Sequence, residues 1–313
     1  MHALIPRGWA SPAARTRGCR CFASSVHAVA AQGFVASSAA AYDAGRPDWQ
    51  LSHARAALAL AGVSRSSPAS ADGLFPKAPI LELGAGTGKF TAALFAAVAE
   101  VAPAGARPHI ICAEPSEGFA AAWRSRCGAL GARGTGLSLL AAPAAGLQEL
   151  PDGACSAAFA AQALHWMADD ASGAEIARVL GSGRALVALW NCRDASRAGC
   201  DWVREYEAVI ASAYEPGTPS WLSRRWEAWA RGSAAFQQPP ALMRWEREAG
   251  GALGDERTML DAALSISEIA RRAPLERAAF EARLRAAVAR APRREDGLIL
   301  MPMYTEALVM RVG

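Results

Sequence analysis

Lysine is almost missing from this chain. Only Lys77 and Lys89 stand among its 33 basic residues, and the other 31 are arginine. With the heavy use of alanine, this reads as a compositional habit, so alanine runs alone do not mark helices. Long apolar runs are missing as well. None approaches the roughly 18–20 residues that a membrane helix needs, and the longest uncharged stretch, residues 21–42, is broken by His27, Gln32 and serines. There is no C-x-x-C pair. The seven cysteines (19, 21, 112, 127, 155, 192 and 200) are odd in number, and most of those in the body lie in apolar segments, which suits buried thiols in a reducing compartment better than a disulfide framework. The five histidines lie far apart from one another, so no structural metal is expected.

Acidic residues are absent from the first 42 positions, which carry Arg7, Arg15, Arg17 and Arg20. An acid-free segment with arginine and serine has the composition of an organelle transit segment, plastid or mitochondrial. Residues 1–25 are read as that segment; without one, a cytoplasmic protein is expected. Those four arginines account for the whole formal charge of +4, leaving 29 basic against 29 acidic residues in the body. Such a balance offers no electrostatic hold on nucleic acid.

What is present is organised around Ile80-Leu81-Glu82-Leu83-Gly84-Ala85-Gly86-Thr87-Gly88-Lys89-Phe90-Thr91. An apolar run enters, three alternate glycines turn the chain, and a helix-forming run leaves. Glycine admits positive φ and lets a ligand approach the backbone, and the following helix starts with unpaired N–H groups. A phosphate-binding P-loop would need glycine where Leu83 stands and Ser or Thr where Phe90 stands. A dinucleotide fingerprint would need its third glycine at Lys89. The spacing is instead Gly-x-Gly-x-Gly, with Glu82 two residues ahead of it.

Residues 26–75 read as an N-terminal cap, with helices over 39–44 and 51–60 and a Ser- and Pro-rich loop over 64–76. Residues 76–192 alternate between strands (79–83, 109–113, 137–141, 155–161, 184–190) and helices (90–101, 117–126, 171–180). Residues 193–313 break that alternation. Helices are expected over 201–214, 255–272 and 275–290, and a strand over 241–248. The apolar run over 297–312 contains Pro302, which is expected to divide it into two short pieces. The pattern predicts an α/β protein, a Rossmann-like, doubly wound and mostly parallel seven-stranded sheet with helices on both faces. Its ligand crevice should lie where the strand order reverses. The glycine loop, Glu114 and Gln162 each follow a strand, so right-handed crossovers bring them to one edge.

Several segments resemble one family. Residues 82–88 resemble motif I of the class I S-adenosylmethionine-dependent methyltransferases, and Glu114-Pro115-Ser116 its acidic position. Ala160-Ala161-Gln162-Ala163-Leu164-His165-Trp166 is similar to a segment of the type-11 small-molecule group, which includes trans-aconitate methyltransferase-like proteins. Arg178–Gly183, the Tyr42…Gly45-Arg46-Pro47 stretch and Met301–Thr305 resemble further motifs, so the likeness spans roughly residues 28–312. It implies S-adenosylmethionine as cofactor, contacted by Glu82, Gly84, Ala85, Gly86, Thr87, Gly88, Glu114, Pro115, Gln162 and Ala163. It implies a small-molecule acceptor, with a carboxylate or hydroxyl as the expected nucleophile, near Tyr42, Arg46, His165 and Trp166. His165 is the candidate base or substrate hydrogen-bonding group. Two positions depart from the family: Gln148 replaces an acid, and Ser156-Ala157 replaces an aspartate. They motivate an alternative, a catalytically inactive organellar assembly or regulatory protein on the same fold.

Overall fold

The computed structural model describes residues 43, 45–131, 136–197 and 199–313. The transit-segment reading, most of the helix expected over 39–44, and Tyr42 lie outside the described residues. Helix α1 (Leu51–Ala61) ends where Gly62 takes a left-handed φ of 79°. The next five strands are β1 (Leu74–Leu83), β2 (Arg107–Ala113), β3 (Gly136–Leu140), β4 (Ala157–Ala161) and β5 (Ala185–Arg193). Helix α2 (Lys89–Val101) joins β1 to β2, α3 (Glu117–Gly131) joins β2 to β3, and α4 (Asp170–Leu180) joins β4 to β5. Two long strands, β6 (Ala241–Gly254) and β7 (Ile299–Arg311), complete the sheet. Its order is β3-β2-β1-β4-β5-β7-β6. The first five strands are parallel, and β7 runs antiparallel to both of its neighbours. The order reverses between β1 and β4, which leaves a crevice at their carboxyl ends. The expected seven-stranded, doubly wound α/β sheet is the one observed.

Side chains alternate across the sheet. Leu81 and Leu83 pack with Ile176, Val179 and Leu180 of α4 on one face. Ile80 packs with Leu58 of α1 and Phe90, Leu94 and Val98 of α2 on the other. A third cluster joins helices outside the sheet: α5 (Asp201–Ala211), α7 (Glu256–Leu264), α8 (Ser267–Ala270) and α9 (Pro274–Val288). It is built on Tyr206, Leu260, Ile269 and Leu284, and it rests on Met301 and Met303 of β7. This cluster, termed the lid, packs on β7, and its Ile210 and Ile266 reach a cavity beside the end of β5.

Two local expectations are corrected. Strand β7 runs unbroken through Pro302. Pairing to β5 stops at Arg193 opposite Met303, one residue short of the proline, while the β6 register slips between Glu246 and Gly251, which faces Pro302. The missing N–H therefore falls at a bulge, where the ladder is already interrupted. Gly251 permits the close approach, since a Cβ there would collide with the Met301 carbonyl. The helix expected over 255–272 is two, α7 and α8, separated at Ser265 and Ile266. Helix α6 (Arg225–Gly232) arises beside Trp221, Trp226 and Trp229, between the segments assigned elements from sequence. Trp226 anchors it by stacking on Trp190 of β5, with ring centroids 4.1 Å apart.

Candidate active site

The loop after β1 is tied to the end of β2, since the Gly84 and Ala85 N–H groups both donate to the Ala113 carbonyl, at 2.9 and 3.1 Å. Gly84 and Gly86 have φ of 64° and 58°. A Cβ on Gly84 would come within 2.7 Å of the Ala163 Cβ, so loop and β4 end meet in close contact. Gly86 differs: no atom lies nearer than 4.0 Å to where its Cβ would be. Its need for glycine comes from φ alone, and its outer face is open to a ligand.

Glu114 closes β2 and is buried. Its Oε2 accepts from the Gly86 N–H and its Oε1 from the Ser116 N–H, both at 2.8 Å. Burial raises its pKa, and these two hydrogen bonds oppose the rise. Each carboxylate oxygen has a second lone pair, so the group can still accept two hydroxyls. Pro115 is exposed beside it. Glu82, expected to touch a ligand, turns instead toward α2 beneath the loop. It is 1% exposed. Its Oε2 accepts from Thr91 Oγ1 at 2.7 Å and Cys112 Sγ at 3.4 Å, while Trp123 Nε1 donates to the same threonine at 3.0 Å. Burial pushes the Glu82 pKa up to about 7, against the pull of those two donors.

The loop is strapped from outside. Asp43 accepts from Thr87 Oγ1 and pairs with Arg126, and Lys89 Nζ donates to the Arg46 carbonyl at 2.8 Å and to Asp48 at 2.7 Å. Thr87 is thereby buried against residues 43–48.

At the end of β4, Gln162 has a φ of 57°, unusual for a residue with a side chain. Its N–H donates to Leu189 O at 2.8 Å and its Nε2 to Asn191 O at 3.0 Å, so β5 holds the turn in place. Gln162, His165, Trp166 and Arg46 line a cavity of about 100 Å³ on the lid side of the loop. Trp190 Nε1 donates to His165 Nδ1 at 3.2 Å. The Nδ1 lone pair is therefore engaged, which leaves the proton of the neutral ring on Nε2. Burial, then the Arg46 charge, pushes the His165 pKa down to about 3. Arg46 Nε donates to Ser265 Oγ at 3.2 Å.

Of the residues singled out from sequence, those of the glycine loop, Glu114, Pro115, Gln162 and Ala163 gather at the switch point. Arg46, His165 and Trp166 gather at the adjoining cavity. The cavity also has walls that the sequence did not mark: Asn191, Cys192 and Arg193 of β5, and Glu207, Tyr214 and Glu268 of the lid. Arg193 pairs with Glu207. Their one sequence signal was the polar run after Trp190, at a strand end facing the same edge as Gln162. Of the two departures, Gln148 is exposed and donates to Ala145 O at 3.2 Å. Ser156 precedes β4, at the opposite edge from the glycine loop, and donates from its N–H and its hydroxyl to Pro79 O. Among the described residues no His, Cys, Asp or Glu cluster could hold a metal ion. No helix there is long and apolar enough to cross a membrane.

Residues 81–188 match the family model described as methyltransferase domain. An uncharacterised methyltransferase of Mycobacterium tuberculosis is 30% identical over 184 residues, 58% of this chain and 60% of that protein. An uncharacterised methyltransferase-like protein of Schizosaccharomyces pombe is 30% identical over 148 residues, 47% of this chain and 50% of that one. The chain thus spans about half to three-fifths of the curated relatives it matches. Among solved structures, a phosphoethanolamine N-methyltransferase of Haemonchus contortus, crystallised with S-adenosylhomocysteine, shares the fold. Its TM-score is 0.50 at 12% identity, over 91% of this chain and 59% of that one.

Proposed function

We propose that this chain, whose residues 81–188 match the methyltransferase domain model, binds S-adenosylmethionine at the β1–β4 switch and methylates a small molecule in the adjoining cavity. The observation that carries this reading is the meeting of the open Gly86 face with the Glu114 carboxylate, whose two oxygens each accept one backbone N–H and keep one lone pair. That pairing fits a ribose with two adjacent hydroxyls.

S-adenosylmethionine supplies an electrophilic methyl group on a sulfonium. The glycine loop would hold the cofactor by its backbone, and Glu114 would accept from the ribose hydroxyls. Glu82 has a supporting part, holding Thr91 and α2 beneath the loop. Gln162 and Ala163 shape the border between cofactor and cavity. His165 carries its proton on Nε2, so it serves the acceptor as a hydrogen-bond donor and not as a base. Positioning of this kind can supply roughly 7–11 kcal/mol of a displacement barrier in favourable cases. Arg46 and Trp166 would frame the acceptor, with Tyr42 as a further candidate. The trans-aconitate methyltransferase-like subgroup, the carboxylate or hydroxyl nucleophile and an organellar address rest on sequence resemblance and composition. No observation favours the inactive-scaffold alternative, because Ser156 lies at the far edge and Gln148 points to its own loop.

Equilibrium binding of labelled S-adenosylmethionine to the full chain tests the reading. Saturable binding that is lost in Gly86→Asp, with the fold retained by circular dichroism, is the expected result. Folded wild-type protein that binds neither S-adenosylmethionine nor S-adenosylhomocysteine would refute it.

A further inference from the structure

The cavity has an unmet hydrogen-bonding requirement. Glu268 of α8 stands in its wall and is 1% exposed. Its Oε1 is buried with no hydrogen-bond partner among the described residues. A buried carboxylate oxygen without a donor is costly and is normally paired. Burial raises the Glu268 pKa, and a hydrogen bond from its own backbone N–H, then the charges of Arg271, Arg46 and Arg272, oppose the rise. None of these arginines donates to Oε1. Arg271 and Arg272 pair with Glu215, and Arg272 also donates to Ala213 O. Arg46 donates to Ser265 Oγ. The other acid of the cavity, Glu207, pairs with Arg193. The same small space is therefore bordered by a carboxylate with one unpartnered oxygen and by the Arg46 guanidinium.

We infer that the acceptor is a compact zwitterion, whose amine N–H donates to Glu268 and whose acid group faces Arg46. A purely cationic amine would meet the repulsion of Arg46, Arg271 and Arg272. A purely anionic acceptor would leave Glu268 unsatisfied and add a like charge beside it. A molecule with both groups satisfies both walls within a cavity of about 100 Å³. This rests on the methyl-transfer reading for the word acceptor, but the recognition of both charges can be measured without turnover.

The test uses the full chain saturated with S-adenosylhomocysteine and three probes of matched size: β-alanine, propionate and propylamine. Calorimetric titration should show β-alanine binding at least tenfold more tightly than either of the others. Glu268→Gln should lower β-alanine affinity about tenfold, while propionate, relieved of the like charge, should bind no more weakly than before. Propionate binding as tightly as β-alanine in the wild type overturns the inference, and that comparison needs no variant. So does an equal effect of Glu268→Gln on both probes, or the failure of all three to bind. Binding of S-adenosylhomocysteine is recorded first in the same series. Its loss would count against the methyl-transfer reading, whereas its retention with indiscriminate probes would count against the zwitterion alone.

Discussion

At the scale of single residues, the two glutamates flanking the glycine loop look alike in sequence and do different work. Glu114 presents two lone pairs outward while its others accept from Gly86 and Ser116. Replacement by glutamine keeps the shape but sets an NH2 group against one of those two backbone donors and removes an acceptor. Since a hydrogen bond to a charged group contributes about 1.5–3 kcal/mol, Glu114→Gln should weaken S-adenosylhomocysteine binding roughly 10- to 100-fold, as read by calorimetry. Glu82 titrates inside the fold. With its pKa raised from 4.5 to about 7, the folded state holds a proton that the unfolded chain gives up sooner. The stability it contributes is complete below about pH 4.5 and is lost as pH rises through about 7. Glu82→Gln cannot ionise, so its stability relative to wild type should improve between pH 4.5 and pH 8 by something on the order of 3 kcal/mol. Urea unfolding at the two pH values checks this, and a constant difference would mean that Glu82 ionises as in water.

At the scale of elements, the parallel half was legible because strands alternate with helices there and three of its strands, β1, β2 and β4, end in a marked residue. The antiparallel half was not. Pro302 argued for a broken strand, and only the slipped register of β6 beside Gly251 explains why β7 continues through it. Strand β5 was expected to stop at Trp190, yet pairing with β7 carries it to Arg193 and so sets Asn191, Cys192 and Arg193 in the cavity wall. Glu207 and Glu268 were illegible for a different reason. In a chain with many charges, a buried acid on an amphipathic helix reads as a surface acid until its neighbours are known. Helix α6 is anchored by tertiary contacts, chief among them Trp226 stacked on Trp190. Trp226 is 1% exposed, so Trp226→Ala should cost about 3–5 kcal/mol, measurable in urea. At Gly251, substitution by alanine forces a Cβ into the Met301 carbonyl and should lower the melting temperature, whereas the same change at Gly153, which has φ of 62° but open space where its Cβ would be, should cost only the left-handed strain of about 1 kcal/mol.

At the scale of the whole molecule, the two sides of the site are carried by different parts of the sheet. The glycine loop and Glu114 follow β1 and β2, while the proposed acceptor side is built from the ends of β4 and β5, the lid and Arg46. Sites that share no partners respond additively to substitution. S-adenosylhomocysteine at about 100 times its dissociation constant should stabilise the protein by about 2.7 kcal/mol, a rise of about 4–5 °C in Tm for a chain of this size. Trp226→Ala should lower the starting Tm but show the same rise, because it loosens the lid and leaves the loop, Glu114 and Ser116 in place. Glu114→Gln should show the reverse, with a smaller change in starting Tm and at least about half of the ligand-induced rise gone at the same ligand concentration. If Trp226→Ala also lost the rise, the lid and the cofactor side would form one cooperative unit, and closing the cavity would be a condition of binding the cofactor at all.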